Sequence, residues 1–174
     1  MKRMKIAITG HTRGFGEYLY ETLSLEHEVI GFSKSTGYDI TNKSSRNKII
    51  ELSSECQIFI NCAQQGFYQT ELLYELFHEW KDEKKLIINI GSNSRDFTNR
   101  DVPYKYSVEK YALNSASKQL GRISKCKVTT VDFGYLVRES GTMIGYEDAY
   151  DYVDMAICSI NKPHRVLEIL VAHE

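Results

Sequence analysis

Short β-branched runs alternate with amphipathic stretches along nearly the whole of this 174-residue chain, and that alternation restricts the fold more than any single motif. Lys5 to Thr9 is an apolar run closed by Gly10, and Glu28 to Phe32, Ile58 to Ile60, Leu86 to Ile90, Val128 to Phe133 and Arg165 to Val171 read as further strands. Between them, Phe15, Leu19 and Leu23 recur at helical spacing over Gly14 to Leu25, as do Ile49, Ile50 and Leu52 over Ser45 to Ser53. Leu72, Leu73, Leu76, Phe77 and Trp80 make Thr70 to Lys81 a strongly amphipathic helix. Two more helices are expected over Tyr104 to Ile123 and Glu147 to Ser159. Parallel strands need helical crossovers, so the pattern predicts an α/β fold: a doubly wound parallel sheet of Rossmann type, three layers deep, as a single domain over 1–174. In such a sheet ligands bind beyond the carboxyl ends of the strands, where the strand order reverses. The residues just after each strand are therefore the candidates.

Charge narrows the partners. Lysines and arginines number 22 against 23 acids, and neither sign forms a block, so no grip on nucleic acid or an anionic membrane surface is indicated. No window approaches about 18 unbroken apolar residues, so no membrane span is expected. The basic start Met-Lys-Arg-Met-Lys is followed only by Ile6-Ala7-Ile8, too short for a secretion signal. Cys56, Cys62, Cys126 and Cys158 form no Cys-x-x-Cys pair and read as reduced thiols, which points to the cytoplasm. The five histidines show no ligand spacing, so no metal is predicted.

The first strand opens through Thr9-Gly10-His11-Thr12-Arg13-Gly14-Phe15-Gly16 directly into a helix. Glycines there permit a tight turn and let the backbone approach a pyrophosphate, which the free N–H groups and dipole of the helix N-terminus favour. His11 reads as a loop residue near phosphate. A Walker-type loop is excluded, because no Gly-Lys-Ser/Thr follows. An acid at the end of the second strand would hold the 2′-hydroxyl of NAD ribose, but that strand ends in Phe32-Ser33-Lys34-Ser35. Arg13 and Lys34 could both reach a 2′-phosphate, so NADP(H) is preferred and NAD(H) is the alternative.

Farther along, Ile88-Asn89-Ile90-Gly91-Ser92 places Ser92 at the carboxyl end of a strand, and the next helix carries Tyr106 and Lys110. An i, i+4 pair shares one helical face, so the ammonium can sit near the phenol and favour the phenolate. A phenol so tuned can give a proton to a carbonyl oxygen that receives hydride, while a serine hydroxyl holds the same oxygen. Composition alone yields roughly one Tyr-x-x-x-Lys in a chain like this. The weight lies in the order: glycine loop, strand-end serine, then the tyrosine–lysine pair.

At this point the chain resembles the short-chain dehydrogenase/reductase family, in its Thr-Gly-x-x-x-Gly-x-Gly branch, from Lys5 to the C-terminus. The resemblance implies a cofactor site formed by Gly10, Thr12, Arg13, Gly14, Phe15 and Gly16 in the loop, with Ser33 and Lys34 after the second strand. Asp39 and Ile40 look like the pair that borders the adenine. Asn61-Cys62-Ala63-Gln64 is similar to the family's Asn-Asn-Ala-Gly, so Asn61, Ala63 and Gln64 join the set. Phe133-Gly134-Tyr135-Leu136 resembles the segment that meets the nicotinamide amide, adding Gly134 and Leu136. By the same resemblance Tyr106 would be the general acid/base, Lys110 would hold the nicotinamide ribose and tune Tyr106, and Ser92 would orient the carbonyl.

The departures are specific. Family members are typically about 250 residues. Here the stretch between Asn61 and Ser92 is short, and the usual catalytic asparagine has no clear counterpart; Gln64, Gln65 and Gln69 are nearby amides, none of which aligns. Little chain remains after Gly134 for a substrate lid. Two functions fit: an NADP(H)-dependent oxidoreductase acting on a small carbonyl or alcohol, or a dinucleotide-binding regulatory or scaffold protein without turnover. The apolar helices over 70–81 and 104–123 suggest a homodimer or homotetramer, and Tyr146, Tyr150 and Tyr152 either line a substrate pocket or pack on the core.

Overall fold

A computed structural model of the chain describes residues 3–98, 103–122, 124–139 and 141–172. Met1, Lys2, Ile123 and His173 lie outside the described residues. Strands β1 (Lys5–Thr9), β2 (Glu28–Phe32), β3 (Ile58–Asn61), β4 (Leu86–Ser92), β5 (Lys127–Phe133) and β8 (Glu168–Val171) form one parallel sheet in the order β2-β1-β3-β4-β5-β8. A separate parallel pair joins β6 (Leu136–Val137) to β7 (Ile144–Gly145). The helices are α1 (Gly14–Ser24), α2 (Lys43–Leu52), α3 (Tyr68–Trp80), α4 (Lys105–Leu120) and α5 (Tyr146–Cys158). The doubly wound parallel fold expected from the sequence is the one observed.

Strand side chains alternate between two cores, as the two-residue period requires. Ile6 and Ile8 of β1 and Leu86, Ile88 and Ile90 of β4 face α1 and α5, where Leu19, Leu23, Val153 and Ala156 cover them. Ala7, Phe59 and Ile87 face the opposite layer, against Ile49 of α2, Leu72, Leu76 and Trp80 of α3, and Leu113 and Leu120 of α4. Every residue of β4 is buried, whereas the edge strands β2 and β8 are mostly half-buried. Trp80 is fully buried and sits edge-on to Phe59, with the Lys85 ammonium 4.5 Å from its ring centre.

One helix boundary differs from expectation for an identifiable reason. The helix expected from Ser45 starts at Lys43, because Asn42 caps it by accepting the Ser44 N–H at 2.9 Å. The shortening is also more widely spread than the motifs indicate. One helix, α3, spans β3 to β4, and the first half of the sheet supplies only β1 and β2 where the usual order has three strands. Strand β2 is therefore an edge, and α2 returns directly to the middle of the sheet. The reversal of strand order falls between β1 and β3, and the crevice opens above their carboxyl ends.

Candidate functional site

Thr9, the last residue of β1, holds the reversal point together. Its hydroxyl accepts the backbone N–H groups of Cys62 at 3.0 Å and Ala63 at 3.1 Å, tying the end of β1 to the end of β3. The chain then turns through Gly10 at φ 79° and Gly14 at φ 61°, conformations that favour glycine. Gly16 is required for another reason: a Cβ there would lie 2.2 Å from the Gly10 carbonyl oxygen, so only glycine lets α1 close against the loop. The N-cap residue of α1 is Arg13, whose side chain caps nothing, so the first-turn N–H groups meet the crevice without a competing side chain.

Above these ends lies a crevice of ≈ 680 Å³, within the range of small-molecule sites. Gly10, Thr12, Arg13, Phe15 and Gly16 line it from the loop, Ser33, Lys34, Asp39 and Ile40 from beyond β2, and Ala63, Gln64, Tyr106 and Leu136 from the other side. Four other residues of the expected cofactor set stand behind the wall. Lys110 and Asn61 are buried in the protein, Gly14 shapes the turn into α1, and the Gly134 N–H donates to the Val171 carbonyl at 2.9 Å. Asn61 faces away because its amide donates to the Gln69 carbonyl at 2.9 Å and to Asn89 at 3.0 Å. His11, expected beside phosphate, instead lays its ring across Gly31 and packs against Tyr20 at 4.9 Å. Tyr146 packs on Phe15 and Tyr18, and Tyr150 and Tyr152 also join the core rather than the crevice.

The end of the crevice beside β2 is a cluster of hydroxyls and charges. Ser35 donates to the Thr12 hydroxyl at 3.0 Å, and the Ser33 and Ser35 hydroxyls are 2.8 Å apart. The Lys34 ammonium lies 2.9 Å from Asp39, whose other oxygen accepts the Thr41 N–H and hydroxyl. The Lys34 contact, followed by the Thr41 bonds, pulls the Asp39 carboxyl down to about 2. Ser35 escaped the sequence reading, although the polar Ser-Lys-Ser run after an apolar strand marks it.

Tyr106 lines the opposite end, with Ser92 and Lys110 buried behind it. Ser92 ends β4, and its hydroxyl accepts from the Ser94 N–H at 3.2 Å and the Ser94 hydroxyl at 2.9 Å. Burial pushes the Tyr106 phenol above its ordinary value, against a hydrogen bond with Ser92 that pulls it down. The Lys110 ammonium is 5.5 Å from the Tyr106 ring centre, but its bonds go elsewhere, to Gln69 Oε1 at 2.8 Å and the Ile90 carbonyl at 3.0 Å. The expected lowering of the phenol by Lys110 is thus not the net result. Burial drives Lys110 itself down to about 8, against the opposing pull of Cys62, Asp132 and Glu109. Gln64 donates to Glu109 at 2.6 Å, fastening the loop after β3 to α4.

Beneath Ser92 lies a buried ionic cluster that the sequence did not reveal. Arg95 pairs with Asp132 of β5 at 3.3 Å and with Glu168 of β8, and Asn114 donates to both acids. Desolvation raises the fully buried Asp132 to about 6. Only the pairing of β5 with β8 brings these residues together.

The sequence matches no family model and no curated protein. Solved structures do match it in shape. A short-chain dehydrogenase from Leptospira borgpetersenii with bound NAD+ superposes at TM-score 0.75 and 18% identity, over 99% of this chain and 92% of that one. A glucose dehydrogenase from Caenorhabditis elegans in the apo form gives 0.75 at 15% identity, over 98% and 96%. A small-chain dehydrogenase in complex with NADPH gives 0.73 at 15% identity, over 97% and 96%. The chain therefore has the short-chain dehydrogenase/reductase fold in a shortened form. At these identities the likeness describes the fold.

Proposed function

We propose that the protein is a nicotinamide-dinucleotide-dependent oxidoreductase acting on a small carbonyl or alcohol, with NADP(H) as the preferred cofactor. The observation that carries this reading is one crevice with a hydroxyl- and cation-rich end at Thr12, Arg13, Lys34 and Ser35 and, at the other, Tyr106 hydrogen-bonded to Ser92 behind it. The residues present fit a dinucleotide: the uncapped N-terminus of α1 suits a pyrophosphate, and Thr12, Ser33, Lys34 and Ser35 suit a 2′-phosphate. When bound, the dinucleotide supplies or accepts the hydride. Tyr106 donates its proton to the substrate oxygen, Ser92 holds the same oxygen, and Lys110 presents an ammonium to the nicotinamide ribose. A phenol held above its usual value is fully protonated at neutral pH, which suits carbonyl reduction better than alcohol oxidation.

A different observation favours a second reading, a dinucleotide-binding protein without turnover: Lys110 is engaged with Gln69 rather than with the phenol. Fluorescence titration with NADPH and NADH, followed by a panel of carbonyl substrates, separates the two. Saturable binding with hydride transfer is the expected result. Binding without oxidation of NADPH by any carbonyl would leave the second reading, and no binding at millimolar nucleotide would remove both.

Self-association through α3 and α4 is part of the proposal. Their outer faces expose Tyr74, Val108 and Tyr111, each more than two-fifths accessible. A dimer or tetramer mass by light scattering at micromolar concentration is expected, and a strict monomer would overturn it. The four cysteines are free thiols, as a reducing cytoplasm would keep them.

A further inference from the structure

We infer that Gln69 is a positioning residue, holding the Lys110 ammonium beside Tyr106 with an uncharged acceptor. The inference rests on the oxidoreductase reading for its purpose but on geometry for its content. An ammonium has three N–H groups. Gln69 Oε1 and the Ile90 carbonyl take two of them, at 2.8 and 3.0 Å, leaving one for the side on which Tyr106 lies.

The Gln69 amide cannot turn over. Its Nε2 donates to the Asn61 carbonyl at 2.7 Å and to the Ile90 carbonyl at 3.1 Å, at the ends of two adjacent strands. A flipped amide would point its N–H groups at the ammonium and its oxygen at two carbonyl oxygens, exchanging three good contacts for three repulsive ones. The Gln69 backbone is fixed as well, since its carbonyl accepts from Asn61 Nδ2 at 2.9 Å. The residue is 2% accessible, so solvent does not compete for its acceptor.

Among the described residues no carboxylate bonds Lys110. Cys62 just after β3, Asp132 of β5 and Glu109 of α4 act on it only through space, and the Tyr106 ring lies under the ammonium, 5.5 Å to its centre. A dry site with neutral acceptors disfavours the ammonium, which agrees with its depressed value of about 8. Position 69 of the shortened β3–β4 connection thus does with a side-chain amide what this chain needs in order to orient its lysine.

The test follows Lys110 itself by NMR of the lysine Cε in the full-length protein, with Lys110→Met assigning the signal. Wild-type protein is expected to show an inflection near 8. Gln69→Met removes the acceptor at similar volume, and the inflection should fall by about one pH unit, a tenfold change in proton affinity. Gln69→Asn, too short to span from Asn61 to Lys110, should shift it the same way and serves if the Met variant does not fold. An inflection that stays in place, or rises toward that of a free lysine, overturns the inference. NADPH titration across the same pH range distinguishes the two proposals. Nucleotide that never binds while Lys110 shifts as expected defeats the oxidoreductase reading alone. Nucleotide that binds while Lys110 ignores Gln69 defeats the positioning role alone.

Discussion

The two ends of the crevice are built on opposite principles. The end beside β2 hangs from an edge strand, and its charged groups are in water: the Lys34 side chain is 71% exposed. The end beside β4 hangs from a strand buried on both faces, and there desolvation leads the shifts of Tyr106, Lys110 and Asp132. Exposed charges are screened and individually weak, so single changes at the first end should cost little. Buried groups lose full interactions when altered, so the second end should tolerate almost nothing. The division is what one crevice needs if one end selects and the other reacts.

The sharpest separation should come from Tyr106→Phe. Turnover is expected to fall about 10³-fold, the scale of a lost general acid, with NADPH affinity unchanged within about twofold. Parallel loss of binding would show that the two ends are not independent. A pair of glycine substitutions comes next. In Gly91→Ala the new Cβ would lie 2.0 Å from Asp132 Oδ1 and 2.7 Å from Thr130, both fully buried, and a loss of about 3 kcal/mol is expected. Gly37→Ala near the nucleotide end meets nothing within 4 Å and strains only its φ of 93°, for about 1 kcal/mol. Equal losses in chemical denaturation would erase the contrast.

Acidity probes the same difference. Asp132 rises from 3.8 to about 6 on folding, so between those values the folded protein holds a proton that the unfolded chain has released. Its contribution to stability is present in full below pH 4 and is lost as the pH rises through 6. Asp132→Asn cannot titrate. The stability of wild type relative to this variant should therefore fall between pH 4 and 7, by at most about 3 kcal/mol. A flat difference would place Asp132 in an environment much wetter than the one described.

How far the sequence alone could reach follows the same divide. Strands and helices were legible because apolar runs and 3.6-residue spacing are local signals, and Ser92, Tyr106 and the glycine loop were legible because each ends or opens an element. For Asn61 a strand-end position does not say which way the amide points; that is decided by Asn89 and the carbonyl of Gln69. Gln69 could not be told from Gln64 and Gln65, since only the starting phase of α3 decides which amide faces Lys110. The Arg95–Asp132–Glu168 cluster joins residues far apart in sequence through strand pairing, which no local pattern encodes.

The smallest expected effect tests whether the nucleotide end is a tunable selector. Lys34 is held by Asp39, yet it is also a cation available for a 2′-phosphate, so the two roles compete. Lys34→Ala should lower the ratio of NADPH to NADH affinity by up to about tenfold, and more at low salt than at high. Asp39→Asn frees the ammonium and should raise that ratio by about two- to threefold, with any direct effect on the shared adenosine cancelling in the ratio. The decisive measurement is the double variant. If Asp39 acts by restraining Lys34, Asp39→Asn must do nothing to the ratio once Lys34 is alanine. A gain that persists there would mean that the carboxylate repels the 2′-phosphate directly, and that the selector is Asp39 rather than the cation it holds.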